Sequence, residues 1–224
     1  MARIKICGLT RRQDVETAIE EGADALGFVV WPSSKRYVNA EELGPLLSGL
    51  PPFVQRVAVS VNLFPEEVRR LEEAIDHHSG GGAAFDLWQL HGHESPETAA
   101  ALAPRRVLKM FSLQEDKPLP ETRDYASADA FLLDTPSHDY GGTGRTFDWD
   151  LAVKFKQTTS KPIILSGGLT PDNVAEAIER VQPYGVDVST GVEAESRLKD
   201  PLKIRDFIQA ARGAVCEPSP HPTA

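Results

Sequence analysis

Cysteine is scarce in this chain. Only Cys7 and Cys216 are present, near opposite ends, so no disulfide framework is implied and a reducing cytoplasm is the natural setting. No apolar run approaches the length needed to cross a bilayer, and Met1–Thr10 is a charged start leading into a strand rather than a secretion signal. Positive charge is also short. Against 33 Asp and Glu stand 24 Lys and Arg, a formal net charge of −9, which argues against a nucleic-acid or anionic-membrane partner. Any local basic site must therefore work against the overall field. Metal patterns are missing as well: there is no HExxH, no Cys/His cluster and no carboxylate set spaced for a cation. The glycines do not follow dinucleotide-binding spacing, so neither metal nor cofactor is expected.

What is present is an ordinary globular composition, 41% hydrophobic and 25% charged over 224 residues, long enough for one sizeable core. The stretch Pro162–Glu193 is the most informative. Two short apolar runs, Ile163–Leu165 and Val186–Val188, each end in a cluster of Ser, Thr and Gly. Between them, Thr170-Pro171 reads as a helix start, and Val174, Ala177, Ile178 and Val181 recur at helical spacing. Small residues let the backbone approach an anion closely, so Gly167, Gly168, Ser189, Thr190 and Gly191 read as a phosphate cradle. The bland alternative is two ordinary turns built from small residues.

The same unit recurs along the chain. Strands are expected at Ile4–Cys7, Ala25–Val30, Arg56–Val61, Leu87–Leu90, Val107–Phe111 and Ala130–Leu133, ahead of the two in the central stretch. Helices are expected over Gln13–Glu21 and Ala40–Leu50, from Pro65, Pro96 and Pro171, and from Asp200-Pro201 to about Ala211. Strands alternating with helices mean a parallel sheet, and about eight units in so short a chain favour closure into a single (β/α)8 TIM barrel. Residues 1–212 are assigned to that barrel and 213–224 to a disordered tail. Ser79–Ala84 reads as a flexible surface insertion. The Gly-rich loop Gly141–Arg145 lies on the catalytic side, where it could close over substrate.

Candidate chemistry is read from residues that project past strand ends. Cys7 closes the first strand and could serve as a thiolate base beside a cation, though a lone cysteine is more often a small buried hydrophobe. Asp134 ends Phe131–Leu133 at the edge of an apolar mouth, which suits an acid that keeps its proton, or else a cap or ion-pair partner. Arg36, after strand two, could grip a carboxylate at two points or simply be solvated. His91 is polar lining or a satisfied histidine, and Asp187 near the end of strand eight could add a like charge beside Asp134.

Taken together, these residues resemble the phosphoribosylanthranilate isomerase family of tryptophan biosynthesis, from the first strand to the last helix. The resemblance is carried by Lys5-Ile6-Cys7-Gly8-Leu9, Ser34-Lys35-Arg36-Tyr37-Val38, Gln89-Leu90-His91-Gly92, Leu132-Leu133-Asp134 and Gly141-Gly142-Thr143-Gly144 with Phe147-Asp148-Trp149. Ile164 to Leu169, Val186 to Glu193 and Lys199-Asp200-Pro201 complete it. It implies Cys7 as general base, Asp134 as general acid and Arg36 as the partner of the anthranilate carboxylate. It implies an Amadori rearrangement of N-(5'-phosphoribosyl)anthranilate to 1-(2-carboxyphenylamino)-1-deoxyribulose 5-phosphate, by a monomer or homodimer. Family members commonly have Ala where Ser166 stands and Ser where Thr190 stands, and the third strand here reads Ala-Val-Ser-Val-Asn. The rival readings are another phosphosugar enzyme on the same barrel, and a catalytically silent barrel that only binds a phosphorylated ligand.

Overall fold

The structure, a computed structural model, describes residues 1–79, 85–135 and 148–215. The Gly-rich segment of the expected insertion, the loop Gly141–Arg145, and Cys216 with the rest of the tail lie outside the described residues. Eight parallel strands close on themselves in sequential order. They are β1 (Arg3–Cys7), β2 (Ala25–Val29), β3 (Gln55–Ser60), β4 (Leu87–Leu90), β5 (Val107–Ser112), β6 (Ala130–Asp134), β7 (Ile163–Leu165) and β8 (Gly185–Val188). The seam pairs β1 with β8, with Lys5 opposite Asp187 and Ile6 opposite Val188. Each strand is covered on both faces, which is why the strands read as short apolar runs without alternation.

The outer layer is α1 (Arg12–Glu20), α2 (Ala40–Leu47), α3 (Pro65–Ser79), α4 (Pro96–Ala101), α5 (Trp149–Lys156), α6 (Val174–Val181) and α7 (Pro201–Gly213). Their buried faces form one core with the outward faces of the strands, including Phe28, Trp88, Phe131, Phe155 and Phe207. A smaller cluster, Val57, Leu87, Leu108 and Leu132, fills the barrel interior. Caps set the helix starts. Asn39 and Glu42 form a reciprocal capping box, Ser95 accepts from Thr98, and Asp200 accepts from Leu202 and Lys203 ahead of a first-turn proline.

Two helical expectations need correction, and one connection for which no helix was named holds only a short turn. The helix expected to reach Leu50 stops at Leu47, because Ser48 is extended and Gly49 turns the chain with φ +69°. Between β5 and β6 the described connection is a single 3-10 turn, Thr122–Tyr125. Pro118 and Pro120 lie just before it and remove the donors a longer helix would need. Regular helix after β7 begins at Val174 rather than at Pro171. Asn173 braces the preceding turn, accepting from the Thr170 N–H at 2.8 Å and donating to the Gly168 carbonyl at 3.1 Å.

Candidate active site

A cavity of about 1060 Å3 opens at the C-terminal ends of the strands, the face where barrel enzymes place their chemistry. Cys7 is the last residue of β1 and Asp134 the last of β6. His91, Ser166 and Ser189 each follow directly after a strand, β4, β7 and β8. All five line this cavity, together with Arg36, Asp187, the glycines Gly167 and Gly168, and Thr190 and Gly191. The fold thus gathers every candidate named from the sequence into one mouth. Gly167 and Gly168 sit at φ +83° and +65°, a left-handed pair that residues with side chains rarely adopt. A Cβ at Gly167 would also lie 2.9 Å from Asp134 Oδ1.

Cys7 does not sit beside a simple cation. Lys5, two residues earlier on the same inward face of β1, points its ammonium at Asp187 Oδ1, 2.7 Å away, and Ser166 Oγ donates to Asp187 Oδ2 at 3.1 Å. Burial pushes the Cys7 thiol up, Lys5 and Lys199 pull it down, Asp187 adds to the rise, and the balance is a raised value. The expectation of a thiol lowered by a nearby charge is corrected accordingly: the cation is there, but desolvation outweighs it. Burial lowers Lys5, and Asp187 with Cys7 more than offsets that, leaving the lysine above its ordinary value. Asp187, read from the sequence as a like charge pressing on Asp134, is instead the partner of Lys5.

Arg36 is held from a direction the sequence did not disclose. Its Nε lies 2.6 Å from Glu193 Oε1 and a terminal nitrogen 2.7 Å from Oε2, with Thr190 Oγ1 at 3.3 Å. Lys199, wholly buried, reaches the same carboxylate at 3.2 Å and the Ser189 carbonyl at 2.9 Å. Burial alone would raise Glu193, but the Arg36 hydrogen bonds and the Lys199 charge hold it below its ordinary value.

Asp134 faces His91, with Oδ2 3.4 Å from Nε2, while its Oδ1 accepts the Thr135 N–H at 2.7 Å. Behind the imidazole, Gln89 Nε2 lies 2.8 Å from Nδ1. Gln89 Oε1 is buried and has no hydrogen-bond partner among the described residues. Val59 on the third strand and Val61 just after it line the cavity. Ser60 points away, toward the Gln89 carbonyl, and the Asn62 side chain accepts from the His93 N–H. Sequence reasoning missed Lys5, Gln89, Glu193 and Lys199 as site residues. Only Lys5 carried a local signal, its i, i+2 spacing to Cys7 on a strand.

A closed parallel barrel with a thiol, a carboxyl and a guanidinium converging on one cavity at the strand ends defines a (β/α)8-barrel enzyme. Residues 4–210 match the family model described as N-(5'phosphoribosyl)anthranilate (PRA) isomerase. The N-(5'-phosphoribosyl)anthranilate isomerase of Geobacter sulfurreducens is 46% identical over 95% of this chain and 100% of its own length. That of Chromohalobacter salexigens is 45% identical over 92% of each chain. The crystal structure of the Thermotoga maritima enzyme matches with a TM-score of 0.81 at 39% identity, covering 95% of this chain and 100% of that one. A phosphoribosyl anthranilate isomerase in complex with reduced 1-(o-carboxyphenylamino)-1-deoxyribulose 5-phosphate matches at 0.78 and 37%, with the same coverage. This chain belongs to the N-(5'-phosphoribosyl)anthranilate isomerase family, and its activity is that family's isomerisation in tryptophan biosynthesis.

Proposed function

We propose that Cys7 is the general base and Asp134 the general acid of this isomerisation, with the substrate anchored at both ends between them. The observation that carries the assignment is that both groups line one cavity whose rim also holds Arg36 and the two Gly/Ser turns. The backbone of Gly167–Gly168 and Ser189–Gly191 takes the phosphate, and the Arg36 guanidinium takes the anthranilate carboxylate. Two anchors fix the sugar between acid and base, so much of the alignment cost is met on binding. Asp134 protonates the furanose ring oxygen, the C1–O bond breaks, and the nitrogen lone pair forms a Schiff base. The imine acidifies the C2 proton, which the Cys7 thiolate removes to give an enolamine and a thiol. Tautomerisation yields the aminodeoxyribulose phosphate.

The Gln89–His91 pair supports the acid role. With a Gln89 N–H on Nδ1, the imidazole offers an Nε2–H to ionised Asp134. Turning the amide over puts oxygen on Nδ1, and Nε2 then accepts from protonated Asp134. The same residues serve both states of the acid. We assign residues 1–212 to the catalytic barrel and 213–224 to a tail. The working form is a monomer or homodimer; the Thermotoga maritima relative is described as dimeric, with monomers generated from it. A free working thiol fits the cytoplasm, and no described helix is long and apolar enough to cross a membrane.

Cys7→Ala tests the assignment. It is expected to fold, to bind a reduced product analogue, and to lose nearly all turnover, measured as the loss of phosphoribosylanthranilate fluorescence. Retention of more than about a tenth of the activity, a loss below ~1.4 kcal/mol of barrier, would exclude Cys7 as the base.

A further inference from the structure

We propose that Lys5 is the positioning residue that keeps Cys7 available as a thiolate, and that Asp187 and Ser166 fix where its ammonium sits. The inference rests on Cys7 being the base. Four observations converge on it. Lys5 and Cys7 lie two apart on β1 and share its inward face, and both are buried. Gly27, the register partner of Cys7 on β2, marks the spot where they meet: a Cβ there would lie 2.8 Å from Cys7 Sγ and 2.9 Å from Lys5 Nζ. Thiol and ammonium therefore share the space that a missing side chain leaves. Asp187 takes one of the three ammonium donors, and its second oxygen is held by Ser166, so the carboxylate is fixed at one side of Nζ. Finally, the interior layer below is purely apolar, from Val57, Leu87, Leu108 and Leu132. Burying a Lys–Asp pair beside such a layer costs desolvation that hydrophobic residues of similar volume avoid, so stability alone does not account for it.

The charged groups facing Cys7 come from four elements. Lys5 on β1 and Lys199 on the strand Leu198–Lys199 favour the thiolate, and Asp187 on β8 opposes it. Arg36, in the loop after β2, also feels the thiolate charge. Arg36 and Lys199 are already committed to Glu193, which leaves Lys5 as the cation whose charge the thiolate can share with Asp187. When the thiolate takes the C2 proton it becomes a neutral thiol, and Lys5 is then balanced by Asp187 alone. Lys5, Asp187 and Cys7 together carry one net negative charge before the transfer and none after it. Ser166, where family members commonly carry alanine, adds a hydroxyl to the far side of this arrangement.

The test reads the thiol directly. In a Cys216→Ser background, where Cys7 is the only thiol, the rate of iodoacetamide alkylation is followed against pH for the parent, for Lys5→Met, and for Lys5→Met/Asp187→Asn. The double variant removes both buried charges, so it folds even if the single one, with Asp187 unpaired, does not; circular dichroism checks each. The alkylation inflection is expected to rise by at least about one pH unit in Lys5→Met, and to rise by less in the double variant, where the opposing Asp187 charge is removed as well. Alkylation below the inflection then slows at least about tenfold in the single variant. Profiles that superimpose on the parent, or that move down, would overturn the proposal. The outcome is decided without reference to turnover, so it stands or falls separately from the Cys7→Ala assay.

Discussion

Arg36 and Glu193 face each other at two points, Nε to Oε1 at 2.6 Å and a terminal nitrogen to Oε2 at 2.7 Å. The guanidinium proposed to grip the substrate is therefore already paired with a carboxylate of the same geometry. On the proposed assignment, substrate exchanges one carboxylate for another at Arg36. Glu193 keeps Lys199 when Arg36 turns away, so the exchange does not strand a buried charge.

Arg36→Met removes the gripping group while leaving Glu193 its second cation. The Michaelis constant is expected to rise about a hundredfold, about 2.8 kcal/mol of lost binding, with a turnover number changed severalfold at most. Steady-state kinetics alongside thermal melting check this; an unchanged Michaelis constant in a folded variant would remove Arg36 from the binding site.

Asp134→Asn keeps the shape of the carboxyl, and its amide oxygen can still accept from the Thr135 N–H, but it loses the proton donor. Turnover should fall at least about a hundredfold, corresponding to ~2.7 kcal/mol of barrier, while affinity for a reduced product analogue stays within severalfold. Titration calorimetry and the fluorescence assay separate the two quantities. A large loss of affinity with preserved turnover would make Asp134 a binding residue and not the acid.

Gly27→Ala puts a methyl where Cys7 Sγ, Lys5 Nζ and the Cys7 Cα backbone atom, 3.1 Å away, already converge. Overpacking of this kind costs about 1–3 kcal/mol, and here the backbone contact cannot swing aside. A lower urea midpoint together with a loss of turnover is the expected result. Full activity with native stability would mean that thiol and ammonium do not share that space.

Glu193 links the site to acid stability. Its carboxyl in the folded chain titrates below its ordinary value of 4.5. A group depressed on folding contributes stability that is present above the unfolded value and is lost as pH falls through the folded one. Glu193→Gln should therefore be destabilised at neutral pH, and its deficit against the parent should shrink as pH falls below that ordinary value of 4.5. Denaturant titrations at pH 7 and at stepped lower values check this; a deficit independent of pH would mean that packing, not charge, is what glutamate supplies.

The barrel was legible because its strands are buried on both faces and its helices announce themselves with Pro at the first turn, as at Pro65, Pro96 and Pro201. Cys7 and Asp134 were legible because each ends an apolar run, and strand ends are where barrels hold their chemistry. The partners of those residues were not. Glu193 meets Arg36 across 157 positions and Asp187 meets Lys5 across 182, and no local pattern encodes which carboxylate reaches which cation. The direction of the Cys7 shift was misread for a related reason: a sequence shows that a lysine is near in the chain, but not how completely the mouth is closed to water. The start of α6 was misplaced because Thr170-Pro171 carries a helix-start pattern, while Asn173, whose side chain reaches back to Thr170 and Gly168, delays the regular turns.

The pairing of β1 with β8 has a consequence for the chain as it is made. Lys5 and Cys7 lie on the first strand of the barrel, and the carboxylate that pairs with the lysine, Asp187, is translated 182 positions after it on the last. A nascent or truncated chain holding the thiol but not Asp187 also lacks Ser189, Thr190 and Glu193. No partly synthesised barrel carries a working fraction of the site. On the proposed assignment, activity requires the first and last strands to be paired, so its appearance during refolding reports that closure among the steps of folding.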